Sequence, residues 1–427
     1  MDRIVFFALC FLVPLMSLVD GARNPLLMIG FALVFNFLLL IWMSFAEKKS
    51  SHGKKVLRKY KLFWWFQLLW VLYGVVHLLP VGGAMAPDVR AVIRELIWYS
   101  GLFSLTLLFA LTTRSPGRAK AFFSAIVVMA VLQTMFGMYN YYSDEFTLAG
   151  VPDNLSDYRV SGTFINRNFY ANYVVMATGP LLIYLILSAR KIQTREQTID
   201  RLVKSVALLM IALYLLIGVV LSQSRAGVVG FGAALLVVLL LSQFNNRSKI
   251  SPLVYVGSVV GGFIVALTSD VALRFQGLAI GFDGRIEQWL PTYNKFQESW
   301  LLGFGGGNYE QVFKLRNFGE LGPLIYDHAH NDYLEVLLEQ GLVGAVILCV
   351  LSFYLIFRMI KRYRKSQSLI RQKILLSCSF ALVATMVHSF VDFPLQIPAN
   401  AALFACFVGI LIAGMAMDMT HQKPKAS

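Results

Sequence analysis

Residues 204–243 read KSVALLMIALYLLIGVVLSQSRAGVVGFGAALLVVLLLSQ. Two apolar runs of roughly 18 residues flank the turn SQSRAG, and neither carries a charge away from its ends. At about 1.5 Å of rise per residue, each run nearly matches the ~30 Å hydrocarbon core of a bilayer. The pattern recurs in both directions along the chain. It predicts about twelve membrane spans, at 4–19, 24–46, 62–82, 91–113, 121–142, 170–188, 204–222, 226–243, 252–268, 338–360, 374–390 and 399–417. Of the 427 residues, 57% are hydrophobic and 14% charged, against roughly 25% charged in soluble domains. The charge is missing from the segments that must cross lipid. The fold class expected is therefore an all-α integral membrane protein.

The net charge is +15, but its distribution does not suit nucleic acid. The positive residues fall in short clusters between apolar runs, with no basic stripe interleaved with aromatics. These clusters are Glu47–Lys61, Arg114–Lys120, Ala189–Lys204, Gln243–Ile250 and Arg358–Lys373. With Arg3 and the C-terminal lysines they hold 27 of the 38 Lys and Arg. Cytoplasmic loops carry such an excess, which puts both termini in the cytoplasm and agrees with an even number of spans. The first run, 4–19, has the length of a leader, but no small-residue cleavage site follows it, so an uncleaved helix is expected. Cys10, Cys349, Cys378 and Cys406 lie in apolar runs without metal-ligand or disulfide spacing, and read as small core residues.

Two segments on the non-cytoplasmic side are long, 143–169 and 269–337. The second is a cap with helical signals at 286–300 and 331–340, broken by the turn-rich GFGGGN at 303–308. With no internal repeat, residues 1–427 read as one membrane domain.

Polar groups beside lipid are costly, so the non-cytoplasmic boundary is where chemistry is sought. The sharpest stretch is HAHNDYLEVLLEQGLVG, 328–344. His330 stands where the cap meets a span, and a neutral imidazole accepts a proton from a hydroxyl. Asn331 would orient it or bind substrate. The plain alternative is an interfacial residue capping a helix. His328 makes a His-x-His pair; no further His or Cys in the outer segments completes a ligand set, although carboxylates could, and neither metal nor cofactor is expected. Arg225, beside Ser222, Gln223 and Ser224, sits in a very short outer turn. It suits bidentate phosphate binding, or simple snorkelling from a span end. Arg285 begins a cap helix and reads as an anion ligand or as a salt bridge with Asp283 or Glu287. Tyr158-Arg159 and the following SGTFINRN, 161–168, offer backbone N–H groups and arginines to an anion, or plain N-caps to the next helix. Asp392 and His388 flank a rigid turn, DFPLQIPAN (392–400), as potential polar partners. Arginines gathered with a histidine next to lipid suit an anionic headgroup such as a pyrophosphate, whose departure needs charge stabilisation.

These residues resemble the bacterial O-antigen ligase and polymerase superfamily. The pattern His330-Asn331, nine residues, Gly341-x-x-Gly344 is similar to the ligase signature. Ser224-Arg225-Ala226-Gly227, Gly284-Arg285 with Trp289 and Gly303-x-Gly305, and Tyr158-Arg159 with Gly162-Thr163-Phe164 and Asn166-x-Asn168 look like its other motifs. The resemblance covers about 158–400, and the first 140 residues add only hydrophobic spans. It implies a GT-C-like fold in a bacterial inner membrane with its active site facing the periplasm. The implied reaction is metal-independent, inverting transfer of a glycan from undecaprenyl pyrophosphate to a hydroxyl on lipid A–core. A polymerase uses another lipid-linked glycan as acceptor, and a third group glycosylates proteins. Arg225 and Arg285, with Arg159, would hold the pyrophosphate, and His330 would activate the acceptor. The rival class is a transporter, which twelve spans would suit. The asymmetric cap and the scarcity of ionisable groups at span centres, His77 being the exception, weigh against it.

Overall fold

The computed structural model describes residues 1–45, 51–79, 86–142, 159–188, 195–245, 278–314 and 327–417. Among these the chain is helical, with short 3-10 turns and no strand. The helices are α1 (Asp2–Leu15), α2 (Pro25–Phe45), α3 (Ser51–Lys59), α4 (Lys61–Val76), α5 (Val89–Thr112), α6 (Pro116–Tyr142) and α7 (Arg167–Ser188). After them come α8 (Arg195–Leu221), α9 (Arg225–Gln243), α10 (Leu278–Glu298), α11 (Tyr309–Lys314), α12 (Asp332–Arg364), α13 (Leu369–His388) and α14 (Pro398–Ala416). Nine of the described helices are long and apolar enough to cross a membrane: α2, α5 to α9 and α12 to α14. The spans expected at 4–19 and 62–82 correspond to α1 and α4, of 14 and 16 residues. The span expected at 252–268 lies outside the described residues, as do 143–158 and parts of the cap.

Helix starts follow local chemistry. Pro25, Pro116 and Pro398 open helices where no N–H is needed. Elsewhere a side-chain oxygen accepts one of the orphan N–H groups. Asp88 accepts from Arg90, Asn166 from Asn168 and Ser368 from Arg371.

The core runs along α7, α13 and α14, which are mostly buried. α14 packs on α5 and α13, and α13 packs on α7 and α9. Small residues set these distances. A Cβ on Gly409 would lie 2.5 Å from the Thr106 carbonyl oxygen, so the backbones of α14 and α5 approach closely there. Peripheral helices expose apolar residues, such as Phe37 and Met43 on α2, Met210 on α8 and Phe353 on α12. In a soluble protein these faces would be anomalous, whereas lipid covers them in a membrane. Cys378 and Cys406 are core residues and Cys10 is half-buried, but Cys349 is exposed on α12 and does not join the core. It is small and apolar enough to face lipid.

The two ends of the bundle differ. At one end Arg358, Arg362 and Arg371 bind carbonyls of Lys59, Met415 and Gly414. The opposite end, called here the His330 rim, gathers the starts of α7, α9 and α12, the ends of α4 and α13, and the described part of the cap. His77, expected near mid-span, caps α4 at this rim, where its Nε2 lies 2.7 Å from the Leu302 carbonyl.

Candidate functional site

His330 stands in the left-handed region (φ 48°), immediately before the N-cap of α12. Such a backbone costs a non-glycine residue about 1 kcal/mol or more and persists only when its surroundings enforce it. Asn331 enforces it. Its Oδ1 accepts from the N–H groups of Tyr333 (3.0 Å) and Leu334 (3.1 Å), and its Nδ2 donates to the Phe390 carbonyl (3.0 Å). Both ends of this amide are thus engaged in joining α12 to the end of α13. His330 Nδ1 lies 3.3 Å from Asp392 Oδ1 and donates to it. Asp392 is fully buried. Its Oδ2 accepts from Asn168 at the start of α7, and its Oδ1 also accepts from the Phe393 N–H. A carboxylate held by Asn168 and the Phe393 N–H fixes the imidazole in turn, and in the neutral ring Nε2 is then the acceptor nitrogen. His388 is buried near the end of α13.

The arginine-bearing segments meet beside this pair. The Val160 N–H donates to the Leu221 carbonyl (3.3 Å), which seats Arg159 next to the turn leading to Arg225. Ser224 caps α9 through the Gly227 N–H, and Gln223 before it is also left-handed (φ 53°). Gly227 has no room for a side chain, because a Cβ would lie 2.8 Å from that of Ala171. The first turns of α7 and α9 are therefore in contact. The 159–168 segment thus runs from the Arg225 turn to the Asp392–His330 pair. Arg285 lies on α10, with its side chain outside the described residues, as is Tyr158.

The glycines of the stretch have a structural reason. Gly341 (φ 62°) breaks α12, and cap residues 300–305 fill the break. The N–H groups of Phe304 and Gly305 donate to the carbonyls of Leu338 and Glu339. Those of Leu342 and Val343 donate to the carbonyls of Trp300 and Leu301. A Cβ on Gly341 would sit 2.4 Å from the Leu301 oxygen. Gly344 lets α4 approach, with Trp70 and Tyr73 both 3.2 Å from where a Cβ would stand. Tyr73 in turn places its hydroxyl 2.9 Å from the Leu302 carbonyl and 2.8 Å from that of Gln340.

Residues 209–349 match the family model for O-antigen ligase. This stretch, called here the ligase domain, is similar to the O-antigen ligase superfamily. No curated protein matches the chain. The ligase domain takes in Arg225, Arg285, His330, Gly341 and Gly344. Asp392, Asn168 and Arg159, which meet it at the rim, come from outside the matched stretch. Enzymes of this superfamily are glycosyltransferase-like and act on lipid-linked glycans.

The ligase domain also borders a cavity that the sequence reading missed. It has a volume of 310 Å³ and is lined by Arg23, Arg94, Glu95, His328, Glu335 and Glu339, among others. Three of these lie in the first 140 residues, which contribute more than hydrophobic spans. Arg94-Glu95 was visible as an adjacent ionisable pair inside an expected span. Glu335 is buried. It accepts from His328 Nδ1 (2.7 Å) and from the Ala329 N–H (3.1 Å). Glu339 accepts from the Tyr309 N–H (3.0 Å), which ties α11 to α12. Burial disfavours the charged form of His328, but the adjoining Glu335, with Asp327 and Glu339 beyond it, outweighs this and holds its pKa up at about 9. His328 stacks on Phe393 at 4.2 Å, while His330 meets the same ring edge-on at 4.9 Å. The two histidines thus have separate carboxylate partners. Among the described residues no three His, Cys, Asp or Glu side chains are placed to hold a metal ion.

Proposed function

We propose that the protein is a glycosyltransferase. It transfers an oligosaccharide from undecaprenyl pyrophosphate to an acceptor hydroxyl at the periplasmic membrane boundary, with lipid A–core as the acceptor. The observation that carries this reading is the buried Asp392 behind His330, at a rim where the Arg159 and Arg225 segments meet within and beside a ligase domain. His330 Nε2 takes the proton of the acceptor hydroxyl as its oxygen attacks the anomeric carbon. The bond between that carbon and the pyrophosphate oxygen breaks, and the lipid pyrophosphate leaves with the electron pair. Arg225, Arg285 and Arg159 stabilise the charge that gathers on the leaving group. Asp392 stabilises the imidazolium that forms. A single displacement of this kind inverts the anomeric centre and needs no metal, so transfer should continue in EDTA. The concentration of basic residues at the opposite end of the bundle supports a cytoplasmic location for that end.

The test is glycan transfer from purified lipid-linked donor to lipid A–core by the full-length protein. His330→Ala should lower the rate by about 10²–10⁴, the usual worth of a general base. Asp392→Asn should fall in the same range while remaining folded, because it keeps the shape of the carboxylate. Unchanged transfer by His330→Ala would sink this reading. Lengthening of donor chains without lipid A–core would make the enzyme a polymerase instead.

A further inference from the structure

The reaction above leaves the 310 Å³ cavity unused. Its wall sets the guanidiniums of Arg23 and Arg94, which only donate, beside the carboxyl groups of Glu95 and Glu310, whose oxygens accept. A sugar hydroxyl both donates and accepts, so neighbouring Arg94 and Glu95 can satisfy one hydroxyl from both sides. Met28 and Pro398 add an apolar edge for the C–H face of a ring. The volume lies at the small end of ligand pockets, enough for one or two sugar rings. Five carboxylates, those of Glu95, Glu310, Asp327, Glu335 and Glu339, face two guanidiniums and His328. Glu335 is paired with His328 and Asp327 with Arg23, so most of this charge is matched within the wall and a neutral ligand is favoured over an ionic one. Position matters as well. His328 in the cavity wall and His330 touch the same Phe393 ring, so the cavity and the base are one side chain apart.

We propose that this cavity is the acceptor subsite, where Arg94 and Glu95 bind a neutral sugar ring of the acceptor and so bring its hydroxyl to His330. The proposal rests on the glycosyl-transfer reading and adds the part of the substrate that fixes regiochemistry. It brings in residues outside the ligase domain.

Saturation-transfer NMR tests it on the full-length protein in detergent, with methyl glucoside, methyl N-acetylglucosaminide and methyl glucuronate as probes. The neutral glycosides should give signals with the wild type and with His330→Ala. The signals should weaken by about fivefold or more in Arg94→Gln and Glu95→Gln, the effect of losing roughly 1 kcal/mol of hydrogen bonding. Methyl glucuronate should bind more weakly than either. Glu310→Gln, on the short α11, is the second variant if substitution on α5 disturbs folding. Undiminished signals in all three variants, or a preference for the glucuronate, would overturn the subsite. A wild type that binds neutral glycosides but transfers no glycan would leave the sugar site standing and remove the reaction. A wild type that transfers glycan with the same acceptor KM as Arg94→Gln and Glu95→Gln would do the reverse.

Discussion

At the scale of single residues, the rim shows two histidines with different partners. His330 stood out in the sequence as a histidine beside lipid, followed by Asn and two glycines at fixed spacing, although a residue capping a helix would explain it too. Its partner was less so. Asp392 lies 62 residues further on, in a turn that two prolines would explain alone. Asn331 read as a residue that orients His330 or binds substrate, and the structure engages its amide in capping α12. His328 differs from His330 in carrying a raised pKa of about 9. The sign of its contribution follows. The folded-state value exceeds the unfolded value near 6.5, so this pairing stabilises the protein fully below about pH 6.5, and the contribution is lost as pH rises through about 9. Thermal unfolding of the wild type and His328→Gln across pH 6 to 9.5 should show the wild type's advantage shrinking over that window. An advantage constant with pH would refute the linkage.

At the scale of elements, α12 is the helix whose reading changed most. Hydropathy placed a span at 338–360, and the structure has a helix from Asp332 to Arg364, broken at Gly341. The break could not be seen in composition, because it depends on cap residues 300–305 coming back to supply N–H and C=O partners. Gly341→Ala should therefore be costly. It forces a left-handed backbone on a residue with a Cβ, at about 1–2 kcal/mol, and drives that Cβ into the Leu301 carbonyl. A lowered unfolding midpoint in detergent, with loss of transfer, is the expected result. Wild-type stability for Gly341→Ala would mean the break is dispensable. Arg23, Arg94 and Glu95 illustrate the same limit. Each stands alone or as a pair at the end of an apolar run, and only packing of α2, α5 and α12 brings them around one cavity.

At the scale of the whole molecule, the number and order of helices were largely written in hydropathy and charge. Nine of the expected spans stand as long apolar helices among the described residues, and α1 and α4 occupy two more positions as shorter ones. Orientation in the membrane is read by labelling. With the native cysteines replaced, Glu310→Cys on the His330 rim should react with an impermeant maleimide on intact spheroplasts. Lys365→Cys, at the opposite end, should react only after permeabilisation. The opposite pattern would invert the molecule in the membrane and place the proposed chemistry beside the cytoplasm.

The stitching of residues 300–305 into α12 also constrains how such proteins can diverge. A loop that merely covers a site can lengthen or shrink between species at little cost. Here its removal would strand the carbonyls of Leu338 and Glu339 and the amides of Leu342 and Val343 near lipid, where unsatisfied backbone is expensive. Insertions and deletions should therefore accumulate on either side of this segment. The stretch itself should drift only in step with Gly341, so that loop and helix are inherited as a single part.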